Sequence, residues 1–407
     1  MMELLSPAGD LEKLRIAYAY GADAAYVGLG KFSLRARAIN VHEAEIEAIK
    51  KIKGNRKLYG TINILFHEED IQALESQLEV IAEYPFDAFI VSDLGAAELL
   101  RHRFPEIRLH LSTQASCLNS RAVRAYKHLG FSRIILGREA SLDDIKRIRD
   151  AVDDIELETF VHGAMCMAYS GRCLLSAFMA NRSANQGDCA HSCRWDYRIM
   201  QHSQNTESDE YQIALEEKQR PNEYFPIYEE DGYSTILSSK DLCMIDHLSE
   251  LESAGVSSIK IEGRMKSLYY VATVTRAYRK ALDTADWKPF RDELFHVSHR
   301  EFTTGFYYDH EASDVQTTES YIRPYLFIGI VGERRADGLF ALHLKNSISH
   351  EKPIEFIGPD IVAATDDAFE LFDEALQPVN MLHHHQKAFI RTSVPIQTDY
   401  IVRRPRL

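Results

Sequence analysis

The sequence predicts a (β/α)8 TIM-like barrel with a cysteine-rich insertion after its seventh strand, followed by a small C-terminal all-β barrel domain. Three observations lead there. Short apolar runs alternate with amphipathic stretches eight times within residues 1–285. The connections are short except for one excursion at 165–256. From Tyr325 onward the pattern changes to brief strands separated by turn residues.

The elements follow in order. ELLSP (3–7) is the first strand, and LEKLRIAYAYG the first helix, with Leu11, Leu14, Ile16 and Ala17 near helical spacing and Gly21 as its stop. AAYVGLG (24–30) is the second strand and EAEIEAIKKIKG (43–54) a helix ending at Gly54. KLYGTINI (57–64), DAFIVSD (87–93), RLHLSTQ (108–114) and SRIILGRE (132–139) are strands three to six. Helices around IQALESQLEVIAEY, GAAELLRHRF, SRAVRAYKHLG and LDDIKRIRDA follow them in turn. IELETFVHGA (155–164) is the seventh strand, and SSIKIEGR (257–264) the eighth, before a long helix in YYVATVTRAYRKALDTA. A doubly wound open sheet competes, but eight units favour closure.

Three parts result: a barrel at 1–285 carrying the insertion 165–256, a connector at 286–324, and a β domain at 325–407. Within the last, YLFIGIVGE, GLFALHLKN, KPIEFIGP, KAFIRTSVP and DYIVRRP read as strands, and DAFELFDEA as a short helix.

The net charge of −14 argues against a basic nucleic-acid coat, though it leaves room for a local basic groove. No run approaches the roughly 18 apolar residues of a membrane span. MMELLSPAGD has neither a basic n-region nor an apolar h-region, so a cytoplasmic protein without membrane contact is expected.

Four of the six cysteines, Cys166, Cys173, Cys189 and Cys193, crowd into the insertion with the spacing Cys-x6-Cys-x15-Cys-x3-Cys. In a reducing compartment such thiolates hold metal rather than form disulfides. Zinc sites usually show paired Cys-x2-Cys knuckles, so the spacing favours an iron–sulfur cluster and keeps zinc as the alternative. Cys243 and Cys117 are read as packing, with Cys243 also able to replace one of the four.

Barrel enzymes place their chemistry at the C-terminal ends of the strands. His162 ends strand seven and should face the mouth, for proton transfer or for shaping the cysteine loop. Lys260, Glu262 and Arg264 alternate on strand eight and share one face, where Glu262 and Arg264 make an ion pair or an anion site. Asn63 lies on strand three, and Gln114 and Arg138 end strands five and six, as substrate contacts. Arg35, Arg37, Arg172, Arg182, Arg194 and Lys266, with Tyr169, Phe178, Trp195 and Tyr197, are candidates for RNA contact. Peptidase machinery is thin: His67-Glu68-Glu69 lacks a second histidine, Ser170 lacks the nucleophile-elbow glycine before it, and only a His162–Cys166 pair is conceivable.

FVHGAMCMAYSGRCLLS (160–176) resembles the signature of the peptidase U-32 family. NQGDCAHSCRWDY (185–197), NEYFPIYEEDG (222–232), SSKDLCMIDHL (238–248), SIKIEGRMKSLYYVATVTRAYRKALD (258–283) and ELLSPAGDLEKLRIAYAYGADAAYVG (3–28) extend the resemblance over nearly the whole chain. The family name implies a collagenase-like protease. The branch most similar to this chain implies hydroxylation of the tRNA wobble uridine to 5-hydroxyuridine, with prephenate as a small carboxylate co-substrate and a [4Fe–4S] cluster on cysteines of this region. A non-catalytic tRNA-binding factor is the third reading. A homo-oligomer is left open.

Overall fold

The computed structural model describes residues 2–34, 42–165, 239–308 and 322–406, with 182, 188–190, 192 and the backbone of three short strands at 197–201, 213–217 and 224–226. Cys166, Cys173 and Cys193 lie outside the described residues, as do Arg35, Arg37, Tyr169, Arg172, Phe178, Arg194, Trp195 and the side chain of Tyr197.

Eight parallel strands close on themselves: β1 (Glu3–Pro7), β2 (Ala24–Gly28), β3 (Lys57–Ile62), β4 (Ala88–Val91), β5 (Arg108–Leu111), β6 (Phe131–Ile135), β7 (Glu156–Ala164) and β8 (Ser258–Ile261). Closure is made by β8, which pairs with β1 (Glu3↔Ser258, Leu5↔Lys260) and with β7 (Ser258↔Glu158, Lys260↔Phe160). Every residue of β2 and of β4 is buried, as strands covered on both faces require. Strands β5, β6 and β8 stop earlier than the apolar pattern suggests. After β5 the Ser112 side chain accepts from the Gln114 N–H and starts a 3-10 turn, so residues 112–114 belong to the rim.

At the opposite, N-terminal face a recurring clasp holds neighbouring units together. Arg101 donates to Leu129 O at 2.9 Å, and Arg149 to Gly255 O at 2.9 and 3.1 Å. The aliphatic stem of Arg279 covers the turn at Gly21, and its guanidinium donates to Asp23 in that turn at 3.0 Å. Each guanidinium meets the turn that leads into the next strand, where helix C-terminal carbonyls concentrate partial negative charge. Gly255 has φ +86°, and a Cβ there would come within 2.6 Å of Arg149 Cγ.

The helix Leu268–Asp283 is buried continuously from Leu268 to Tyr278 because it has protein on both sides. One side packs on the barrel. The other meets an antiparallel, half-barrel sheet of eight strands, whose order is Ala364–Asp366, Ile354–Ile357, Ile401–Pro405, Tyr325–Arg334, Phe340–Leu344, Ala388–Arg391, Glu370–Phe372 and Pro378–Val379. Arg276 donates to Gly358 O (2.8 Å) and Ile361 O (2.6 Å), and Tyr20 Oη donates to Ile357 O and Asp399 O, each at 3.0 Å. Glu293, from the connector, is buried between Arg276 and Arg403. The connector is thus a packed joint in its described part, with Phe290, Leu294 and Val297 in the core.

One prediction is corrected here. DAFELFDEA is not helical: Glu370–Phe372 is a strand paired with Ala388–Arg391. Phe369 and Leu371 point into the sheet core while Glu370 faces solvent, a period of two that cross-strand pairing selects over the local helical preference.

Replacing Gly255 by alanine imposes a positive φ on a residue with a Cβ and pushes it into Arg149. A loss of about 1–3 kcal/mol is expected in urea unfolding, with secondary structure unchanged.

Candidate active site at the barrel mouth

The insertion leaves and rejoins the barrel at one place. The end of β7 pairs antiparallel with Asp241–Cys243 (Ala164↔Asp241, Gly163↔Leu242), and Ser239 Oγ donates to Met165 O at 2.8 Å. Asp241 and Arg300, each 2% exposed, lock this stem at 2.8 Å. Cys166 follows Met165 directly, so the cysteine segment starts at the C-terminal rim. Cys189 is the member of the set that lies within the described residues. Arg182 donates to its carbonyl at 3.1 Å and pairs with Asp188 at 2.9 Å.

The mouth gathers Arg138, Glu262, Arg264, Asn63 and Gln114 around the axis. The Arg138 guanidinium lies 3.9 Å from the centre of the Phe160 ring, and its Nη2 is 3.9 Å from Glu262 Oε2. Arg264 is buried, donating to Ser33 Oγ and, at 3.0 Å, to Thr61 Oγ1. The predicted Glu262–Arg264 alternative therefore resolves differently: Glu262 faces Arg138, and Arg264 reaches across to β3. Asn63 is largely committed to structure, donating to Ser112 Oγ (3.2 Å) and accepting from Leu34 N–H (3.1 Å). Gln114 is buried beside Ser112.

Lys260 lies one layer below, inside the barrel. Its Nζ is 3.3 Å from Glu158 Oε1 and 4.3 Å from the Tyr26 ring centre. Burial lowers its pKa, and the neighbouring Glu158 only partly offsets this. Beneath it Arg133 bridges Glu158 (2.9 Å), Glu156 and Glu3 (both 2.5 Å), and Glu3 also accepts from Tyr59 Oη at 2.9 Å. His110 is fully buried against Tyr59, ring centres 4.8 Å apart, and neither ring nitrogen has a hydrogen-bond partner among the described residues. Burial, reinforced by the Arg133 charge, pushes its pKa well down, so it is neutral. Glu158, Arg133 and His110 were not singled out from the sequence. The available signal was a charged or polar residue inside an apolar parallel strand, in ELETF, FSRII and RLHL.

His162 does not face the mouth as expected. The β7–β8 register slips between Lys260 and Ile261, and Gly163 takes φ +105°. This bulge turns the imidazole outward, among Tyr270, Tyr278 and Phe302 with ring centres 6.0, 5.5 and 5.4 Å away. Burial lowers its pKa to about 3, so it is neutral. Cys243 sits opposite it in register, and burial raises its thiol to about 11; Cys117 is raised to about 11 in the same way. Both are packed thiols in this arrangement. Among the described residues, no group of three or more His, Cys, Asp or Glu side chains could hold a metal, and no helix is long and apolar enough to cross a membrane.

The family model of peptidase family U32 matches residues 9–317. The chain belongs to this family. Among U32-related proteins, tRNA hydroxylation protein P of Escherichia coli (strain K12) is 39% identical over 391 residues, covering 88% of this chain and 86% of that one. tRNA hydroxylation protein P1 of Bacillus subtilis (strain 168) is 36% identical over 395 residues, covering 94% and 89%. The 23S rRNA 5-hydroxycytidine C2501 synthase of E. coli is 35% identical over 283 residues, 69% of this chain and 39% of that protein.

The axial charges set an acid limit on stability. Burial raises the Glu3 carboxyl, but Arg133 and Lys57 outweigh it and leave the pKa at about 2, against 4.5 when free. A depressed carboxyl contributes fully above the free value and loses its contribution as pH falls through the folded one. Unfolding free energy should therefore decline between about pH 4.5 and 2. Glu3→Gln should make that slope shallower in urea titrations across this window, at a lower overall stability.

Proposed function

We propose that this U32 member is an iron–sulfur-dependent RNA-modifying enzyme of the cytoplasm, hydroxylating the tRNA wobble uridine to 5-hydroxyuridine with prephenate as co-substrate. One observation carries the reading. Two guanidinium groups, Arg138 and Arg264, stand at the mouth with the Lys260 amine one layer below, in a barrel whose rim is also the root of the four-cysteine segment. Relatives named for tRNA hydroxylation and for 5-hydroxycytidine synthesis in rRNA, aligned over the same barrel, support it.

The donor chemistry fits the cluster. Four thiolates in one segment match a [4Fe–4S] site, and Cys166, Cys173, Cys189 and Cys193 would hold it. When bound, such a group supplies electron transfer or Lewis acidity. The chain's own residues do the rest. Arg138 offers a planar fork for the carboxylate co-substrate, stacked on Phe160 and oriented by Glu262. Arg264, held by two hydroxyls, keeps its charge fixed at the rim. Glu262 is the group placed to accept or return a proton at the mouth.

A peptidase reading needs a Cys–His nucleophile, and the geometry speaks against it. His162 is turned away from the mouth and is held neutral by burial, so it cannot stabilise a thiolate as an imidazolium.

Serine at any one of the four cysteines should remove iron and 5-hydroxyuridine together, read by iron and sulfide analysis and by nucleoside analysis of tRNA from complemented cells. One zinc per chain with no iron, or hydroxylation retained without a cluster, defeats the proposal. Arg138→Lys keeps the charge but loses the fork. The KM for the carboxylate should rise about tenfold, or ~1.4 kcal/mol, with a smaller change in kcat.

A further inference from the structure

Lys260 has an environment that anion binding alone does not explain. A lysine that only attracts a carboxylate does best exposed at the rim, where its charge costs little. Here the side chain retains 5% exposure, and its amine points into the barrel between Tyr26 (4.3 Å) and Phe160 (5.6 Å). Its partner Glu158 has no exposure at all. Glu158 Oε1 lies 3.3 Å from Nζ in a contact that lacks hydrogen-bond geometry, while Oε2 is committed to Arg133 at 2.9 Å. One carboxylate oxygen is thus fixed in place and the other is left to face the amine. The Phe160 ring that borders Lys260 also carries Arg138 at 3.9 Å.

We infer that Lys260 is an imine-forming lysine, condensing with the carbonyl of a 2-oxo carboxylate whose carboxylate group is held by Arg138. The inference rests on the carboxylate-binding mouth proposed above and adds a covalent role to it. The chemistry balances within the pair. The ammonium gives a proton to Glu158, the free amine attacks the carbonyl carbon, and a carbinolamine forms. Glu158 returns its proton to the departing hydroxyl, and water leaves as the C=N bond closes. No oxidant or reductant is consumed. The lowered basicity of the buried amine favours the nucleophilic form.

The test uses the full chain, with pyruvate as the probe and sodium cyanoborohydride to reduce an imine to a stable secondary amine. Intact mass and peptide mapping should show one adduct, on the peptide containing Lys260, dependent on both reagents. Lys260→Arg, which keeps a charge in the barrel, should abolish it. Arg138→Ala should slow trapping of pyruvate about tenfold yet leave trapping of acetone, which has no carboxylate, unchanged; this comparison stands even if the Lys260 variant misfolds. Adducts spread over surface lysines, or unchanged in Lys260→Arg, overturn the inference. tRNA hydroxylation measured on the same preparation separates the two ideas. Protein that hydroxylates tRNA but traps nothing refutes the imine alone. A Lys260 adduct on protein that leaves tRNA unmodified supports the imine and refutes the hydroxylase reading.

Discussion

Arg133 is buried in the barrel with Glu3, Glu156 and Glu158 around it, and removing Arg133 leaves the fully buried Glu158 charge without its closest cation. A buried ion pair repays its desolvation only where the geometry satisfies every partner. The Arg133 contacts form because β1, β6 and β7 each bring a residue to the same place, which happens only if the barrel is closed in one register. A one-residue slip of β7 would send Glu156 and Glu158 to the helix side. The charge layer therefore rewards correct closure more than it adds raw stability. It also forms the floor above which Lys260 and the mouth are built.

Rigidity at the mouth has a second source outside the barrel. The helix Leu268–Asp283 is clamped between barrel and C-terminal sheet, with Arg276 on the carbonyls of Gly358 and Ile361. Glu293 and Arg403 complete a buried cluster that ties the segment after this helix to the last strand. The same helix supplies Tyr270 and Tyr278, which surround His162 and hold the outer side of the insertion stem. The C-terminal sheet thus backs the stem from which the cysteine segment departs. His162 acts here as a neutral packing group in the wall, and that placement weakens the protease reading suggested by the family's name.

The small polar groups at the mouth and the charged ones are held by different partners. Asn63, Ser112, Thr61 and Ser33 satisfy one another and the rim backbone. Arg138 lies 3.9 Å from Glu262, and Lys260 lies 3.3 Å from Glu158.

The order of elements and the count of eight strand–helix units were legible in the chain, because periodicity is local and each strand buries both faces. Pairing was not. Glu262 meets Arg138 rather than Arg264, His162 turns outward, and Glu370–Phe372 becomes a strand; each outcome depends on a partner far away in sequence. A single register slip beside Gly163 re-aims a side chain that strict alternation places at the mouth. By itself the sequence determined which residues were available at the barrel's rim. Only the tertiary structure decided which of them face one another, since register, bulges and packing across elements arise when distant segments are brought together.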